Sequence, residues 1–211
     1  MKVKVCGITN YDDAAMIVDQ GADALGFNFF PQSPRYIDPE EARKIIRRIP
    51  PFVVTVGLFV NVAEQSRVAE IARTSGVQVL QLHGDETPEY CRGLADWPLI
   101  KAFRVGEEGM RENPEDYPVR AFLLDVRDDT LYGGTGKSFN WELAKSIKRV
   151  RPIILAGGLT RDNVRNAIEI VDPYAVDVCS GVESAPGKKS ARRVAEFMNE
   201  VRNVDRSLHR P

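Results

Sequence analysis

The 211-residue chain balances 29 Lys and Arg against 30 Asp and Glu, with 43% hydrophobic and 28% charged residues. This composition suits one soluble, well-buried α/β domain, and the near-zero net charge gives no basis for nucleic acid or an anionic membrane as a main partner. No apolar run approaches the roughly 20 residues that span a bilayer, and no signal-peptide core precedes the first strand pattern. The cysteines Cys6, Cys91 and Cys179 are odd in number and form no Cys-x-x-Cys or Cys/His cluster. We therefore expect no metal, no disulfide framework and a cytoplasmic setting.

Short β-branched apolar runs alternate with helix-periodic polar segments along the whole chain. Strands are expected over 2–6, 24–29, 52–59, 77–82, 99–103, 119–125, 152–156 and 174–179, and helices over 12–20, 39–48, 63–74, 163–170 and 189–201. Asp38-Pro39-Glu40-Glu41 is a helix entry, with a capping acid, Pro at the first position and acids at the positive end. Gly21 and Gly76 each suit a left-handed position after a helix. The stretch 104–118, rich in charge, Gly and Pro, supports no full fifth helix, and a frayed tail is expected after about residue 202.

Eight βα units imply a parallel sheet and, in 211 residues, a single-domain (β/α)8 TIM barrel somewhat below the usual ~250 residues. An open doubly wound sheet is the rival fold, but no Gly-x-Gly-x-x-Gly opens a helix after a strand.

Alternation along a strand sends every second side chain to one face. Val3 and Val5 should pack under helices, leaving Lys4 and Cys6 pointing into the barrel. Gln81 and His83 share the inward face of the fourth strand, Asp125 ends the sixth, and Asp177 lies near the end of the eighth. Reactive groups of such barrels collect at the C-terminal ends of strands. The thiol of Cys6 and the carboxyl of Asp125 could therefore serve one small substrate as base and acid. Taken singly, each has a plainer reading. Cys6 could be a small buried hydrophobe, Asp125 a loop cap and His83 a rim residue. Lys4 needs a partner or a substrate anion, and could neutralise Asp177 or Asp125. Cys91 and Cys179 read as core residues.

Glycine-bearing turns follow the last two strands, at Gly157-Gly158 and Ser180-Gly181. Bare turns let backbone N–H groups approach a phosphate, and phosphate sites of barrels favour these two loops. Arg35 sits in a loop stiffened by Pro31 and Pro34. It could grip a carboxylate over the barrel mouth or simply be solvated. Gly133-Gly-Thr-Gly136 lacks the Walker pattern and suits a lid better.

Taken in order, Lys4-Val-Cys6-Gly7-Ile-Thr9, Gly21-Ala-Asp23-Ala-Leu-Gly26-Phe27, Ser33-Pro-Arg35-Tyr36, Gln81-Leu-His83-Gly84, Gly133-Gly-Thr-Gly136, Leu155-Ala-Gly157-Gly158-Leu and Asp177-Val-Cys-Ser180-Gly181-Val-Glu183 resemble the phosphoribosylanthranilate isomerase family. The match runs from residue 4 to about 190. One departure is Phe139-Asn140-Trp141, where the family has Asp before the Trp, a matter of helix capping. The resemblance implies the tryptophan-pathway Amadori rearrangement of N-(5-phosphoribosyl)anthranilate to 1-(2-carboxyphenylamino)-1-deoxyribulose 5-phosphate, without metal or organic cofactor. It makes Cys6 the general base and Asp125 the general acid, puts Arg35 on the anthranilate carboxylate and Asp177 on the sugar, and gives the phosphate to Gly157, Gly158, Ser180 and Gly181. Lys4, Gln81 and His83 join them as substrate-facing groups. The partner is then a small phosphosugar, with monomer and homodimer both open.

The chemistry needs one acid and one base and no redox partner. A thiolate near neutral pH needs neighbouring positive charge, for which Lys4 is the candidate, and a carboxyl that must hold a proton favours burial. Two other readings stand beside this one. The related aminoaldose isomerase of histidine synthesis is a duplicated half-barrel with two aspartates, whereas no internal repeat is visible here. A binding protein that has lost catalysis would require neither Cys6 nor Asp125.

Overall fold

The computed structural model describes residues 1–105, 113–126, 147–148 and 150–208. Eight strands occupy β1 Lys2–Cys6, β2 Ala24–Asn28, β3 Val54–Phe59, β4 Val79–Leu82, β5 Leu99–Val105, β6 Ala121–Val126, β7 Ile153–Ala156 and β8 Ala175–Val178. Each pairs in parallel with the next, and β8 closes on β1. This is the expected (β/α)8 barrel. Around it lie α1 Tyr11–Asp19, α2 Pro39–Ile46, α3 Gln65–Ser75, α4 Pro88–Arg92, α5 Val164–Val171 and α6 Ala191–Leu208. Among the described residues, no helix is long and apolar enough to cross a membrane.

Strand alternation divides the apolar residues into two layers. Val3, Val5, Leu25, Phe27, Phe122 and Leu124 pack outward under the helices. Inside the barrel a smaller cluster holds Val56, Ile100, Ala102, Leu123, Ile154 and Ala156. Lys4 and Cys6 take the inward positions on β1, as the pattern required.

Strand ends differ from expectation where apolar residues precede the paired region. Parallel pairing of β3 with β4 starts at Val56 and Val79, so Val77 and Gln78 fall before β4. Phe52 precedes β3 and is 96% exposed. Asp38 caps α2 by accepting from the Glu40 N–H, and Gly21 and Gly76 take left-handed φ of 86° and 81°. The five-residue α4, capped by Thr87, is too short to show a period and was not expected. In the 104–118 stretch, β5 runs on through Val105 and the described residues beyond it include a 3-10 turn at Pro114–Asp116. The final helix spans Ala191–Leu208, with Val201 and Val204 buried on its apolar face. A two-stranded hairpin, β9 Glu183–Ala185 with β10 Lys188–Lys189, follows β8. The expected lid at 133–136 and the Phe139-Asn140-Trp141 departure lie outside the described residues.

Candidate active site

The C-terminal ends of the strands surround a cavity of about 570 Å³. Cys6, Gln81, His83, Asp125 and Asp177 all line it, joined by Arg35, Gly157, Gly158 and Ser180. The sequence reading had placed each of these on the rim, and the fold brings them to one space. Lys4 lies beneath it, 3% exposed, with Nζ 2.9 Å from Asp177 Oδ2. Lys4 therefore meets its charge requirement within the protein, on the register that pairs it with Asp177.

Burial pushes the Asp177 carboxyl up to about 6 against the opposing charge of Lys4. Cys6 moves the other way. A contact from Cys179 and the charges of Lys4 and Lys189 outweigh burial and hold its thiol well below the ordinary thiol range. The shift favours the thiolate, the form that accepts a proton.

Across the barrel, Asp125 is buried and faces His83, whose Nε2 is 3.3 Å from Asp125 Oδ2. Gln81 Nε2 lies 2.8 Å from His83 Nδ1. With the amide nitrogen donating, Nδ1 accepts and the ring proton sits on Nε2, aimed at Asp125. Gln81, His83 and Asp125 thus form a directed chain that orients the carboxyl. Two buried acceptors, Gln81 Oε1 and Asp177 Oδ1, have no partner among the described residues.

Arg35 does grip a carboxylate with two parallel hydrogen bonds, but the carboxylate is that of Glu183, at 2.8 Å from Nε and 2.6 Å from Nη2. The pair leaves three of the five guanidinium N–H donors for the cavity side. Lys189 joins from β10, with no exposed side chain. Its Nζ is 3.0 Å from Glu183 Oε1, 2.5 Å from the Cys6 carbonyl and 3.2 Å from that of Cys179. Reading the sequence missed both Glu183 and Lys189, since the hairpin that folds them back has no distinct pattern.

Cys179 is the clearest correction. Cys91 is a buried core thiol as expected, whereas Cys179 is partly exposed, lines the cavity and donates to Glu183 Oε1 at 3.9 Å. The inward face that includes Asp177 also includes Cys179 two residues on, so strand alternation contained the signal.

The two turns meet at the far side. Gly157 and Gly158 have φ of 97° and 63°, and a Cβ on Gly158 would meet open space. Ser180 opens a 3-10 turn facing the cavity. Gly181 instead lies against β7's loop: a Cβ there would stand 1.9 Å from the Leu159 carbonyl oxygen. Its role is to let the two turns touch, and its open side faces a second depression with Arg161 and Arg193.

A sequence profile of N-(5'phosphoribosyl)anthranilate (PRA) isomerase matches residues 3–200. The chain belongs to the N-(5'-phosphoribosyl)anthranilate isomerase family. It is 53% identical over 209 residues to the family member of Trichlorobacter lovleyi, covering 99% of this chain and all of that one. Among solved structures, phosphoribosyl anthranilate isomerase from Thermotoga maritima superposes with a TM-score of 0.85 at 43% identity, covering 96% and 99% of the two chains. A family structure in complex with reduced 1-(o-carboxyphenylamino)-1-deoxyribulose 5-phosphate gives a TM-score of 0.85 at 42% identity, with the same coverage. The family indicated by the ordered motifs is the family found.

Proposed function

We propose that Cys6 and Asp125 act as base and acid in the isomerisation of N-(5'-phosphoribosyl)anthranilate, the tryptophan-biosynthetic reaction of the family to which the chain belongs. The observation that carries this reading is one cavity lined by the Cys6 thiol at the tip of β1 and by a hydrogen-bonded carboxyl at the tip of β6.

Asp125 gives a proton to the ring oxygen of the aminoaldose, the ring opens, and the nitrogen becomes an iminium. That cation acidifies the neighbouring C2–H. The Cys6 thiolate removes the C2 proton, leaving an enolamine that tautomerises to the ketone. His83, fixed by Gln81, keeps the Asp125 carboxyl turned toward the cavity. Asp177, whose Oδ1 is a buried acceptor without a partner, suits a sugar hydroxyl, and Lys4 holds it in place. Backbone N–H groups of the turns at Gly157, Gly158 and Ser180, with Gly181 packing them together, suit the phosphate. The remaining donors of Arg35 suit the anthranilate carboxylate. The ligand named for the solved relative has the same three parts: a phosphate, a sugar-derived chain and a carboxyphenyl group.

The test is turnover of the anthranilate-containing substrate, followed by fluorescence, with the parent protein and Asp125→Asn. The parent should turn over, and the variant should lose kcat by roughly 10²–10⁴ with KM little changed. A variant with parental kcat removes Asp125 from the acid's role.

A further inference from the structure

The outward positions of β5 are apolar except one. Leu99, Phe103 and Val105 pack under the helices, and Lys101 shares their face with its side chain only 3% exposed. A cation there costs solvation that an apolar side chain would not. Its partner is Glu86, equally buried, from the loop between β4 and α4, with 3.0 Å from Nζ to Oε2. Both stand outside the barrel wall, away from the residues that line the cavity.

The pair converges on one peptide. Lys101 Nζ also donates to the carbonyls of Gly84, at 2.6 Å, and Ala102, at 3.0 Å. The Glu86 carboxylate accepts the Gly84 N–H through both oxygens, at 3.1 and 3.0 Å, and the Asn61 N–H at 2.9 Å. Gly84 is therefore held at its N–H and at its C=O. It has no room for a side chain, since a Cβ would stand 2.1 Å from Asn61 Oδ1. The residue before it is His83, whose own N–H donates to the Phe59 carbonyl at 2.8 Å. The peptide planes on both sides of the His83 Cα are thus anchored, and its φ and ψ with them. The ring torsions remain, and Gln81 at 2.8 Å sets those. His83 Nε2 reaches Asp125 at 3.3 Å, just past the usual N–H···O range, so a small backbone shift at His83 would break that bond.

We propose that Glu86 and Lys101 are positioning residues of the reaction: the buried pair clamps the Gly84 peptide so that the His83 ring meets Asp125. Neither touches a reacting atom. They act only through His83, so the inference rests on Asp125 being the acid that His83 orients. This role also accounts for an ion pair buried where the surrounding packing is apolar.

The full chain with Glu86→Gln, and with Lys101→Met and Glu86→Gln together, tests this. The double variant leaves no buried lysine without a counter-charge, so it carries the test if Glu86→Gln alone fails to fold. The chain has two histidines, His83 and His209, so nitrogen NMR of histidine-labelled protein carrying His209→Gln reads the His83 ring alone. In the parent background the neutral ring should be a single Nε2–H tautomer, and in the variants its two signals should move toward the average of both tautomers. Loss of kcat should be about 10- to 100-fold, up to the cost of an ångström-scale misplacement, with KM little changed. Introduced into His83→Asn, the same changes should lower kcat no further, because the route through His83 is already gone. Parental ring signals overturn the proposal, and so do kcat losses that add in full to that of His83→Asn. Parental kcat in Asp125→Asn or His83→Asn alone is a separate failure, that of the acid's reading on which the proposal rests.

Discussion

Replacing Lys4 with Met removes the cation beneath Asp177 and should produce a stability deficit that depends on pH. The pair is nearly inaccessible, with 3% and 8% of the two side chains exposed, and its N–O distance is 2.9 Å. Burial already pushes Asp177 up to about 6 while Lys4 opposes it. A carboxyl whose folded pKa stands above its unfolded value gives stability that is complete below about pH 4 and is lost as pH rises through the folded pKa. In the parent that loss stops near pH 6. Without Lys4 the folded value rises further, and the variant goes on losing about 1.4 kcal/mol per pH unit above about pH 6. The deficit should reach about 3 kcal/mol near pH 8, the lower end of the range for breaking a buried pair by removing one partner. Near pH 5 the two proteins should differ little, since protonated Asp177 offers Lys4 no charge. Urea unfolding followed by circular dichroism at both pH values measures this. A deficit equal at both, or none near pH 8, would refute the reasoning.

Arg35→Met should raise KM and lower kcat/KM by about 2–3 kcal/mol, the scale of a charged hydrogen bond, with kcat little affected. An unchanged KM would return Arg35 to a purely structural partner of Glu183. Gly181→Ala should separate the two turns, because its Cβ would stand 1.9 Å from the Leu159 oxygen; weaker inhibition by inorganic phosphate reads the effect, and parental inhibition contradicts it. Chelators should leave activity unchanged, since no metal-ligating group of three His, Cys, Asp or Glu occurs among the described residues. Loss of activity restored by zinc or magnesium would overturn that.

What was legible in the sequence follows from how local each cause is. Lys2-Val-Lys-Val-Cys6 alternates so regularly that β1 and the facing of Lys4 and Cys6 followed from residue order alone. Asp38-Pro39 marked the start of α2 because capping is a contact between near neighbours. Partners brought by long-range register were harder to read. Lys4 had two candidate carboxylates, and only the closure of β8 on β1 selects Asp177. The grip of Glu183 on Arg35 spans 148 residues, so the loop suggested a carboxylate for Arg35 without saying whose. Cys179 was misread for another reason: its small, weakly polar side chain suits a core, and residue type outweighed the alternation that set it beside Cys6.

The most direct test of the account is kcat of Cys6→Ser at saturating substrate. The serine keeps the shape of the side chain but exchanges a depressed thiol for a hydroxyl that does not ionise near neutral pH. If the Cys6 thiolate removes the C2 proton, kcat should fall by roughly 10²–10⁴ with the fold and KM retained. A folded Cys6→Ser protein within a factor of a few of the parental kcat would contradict the account and leave Cys6 as a buried cysteine without a catalytic part.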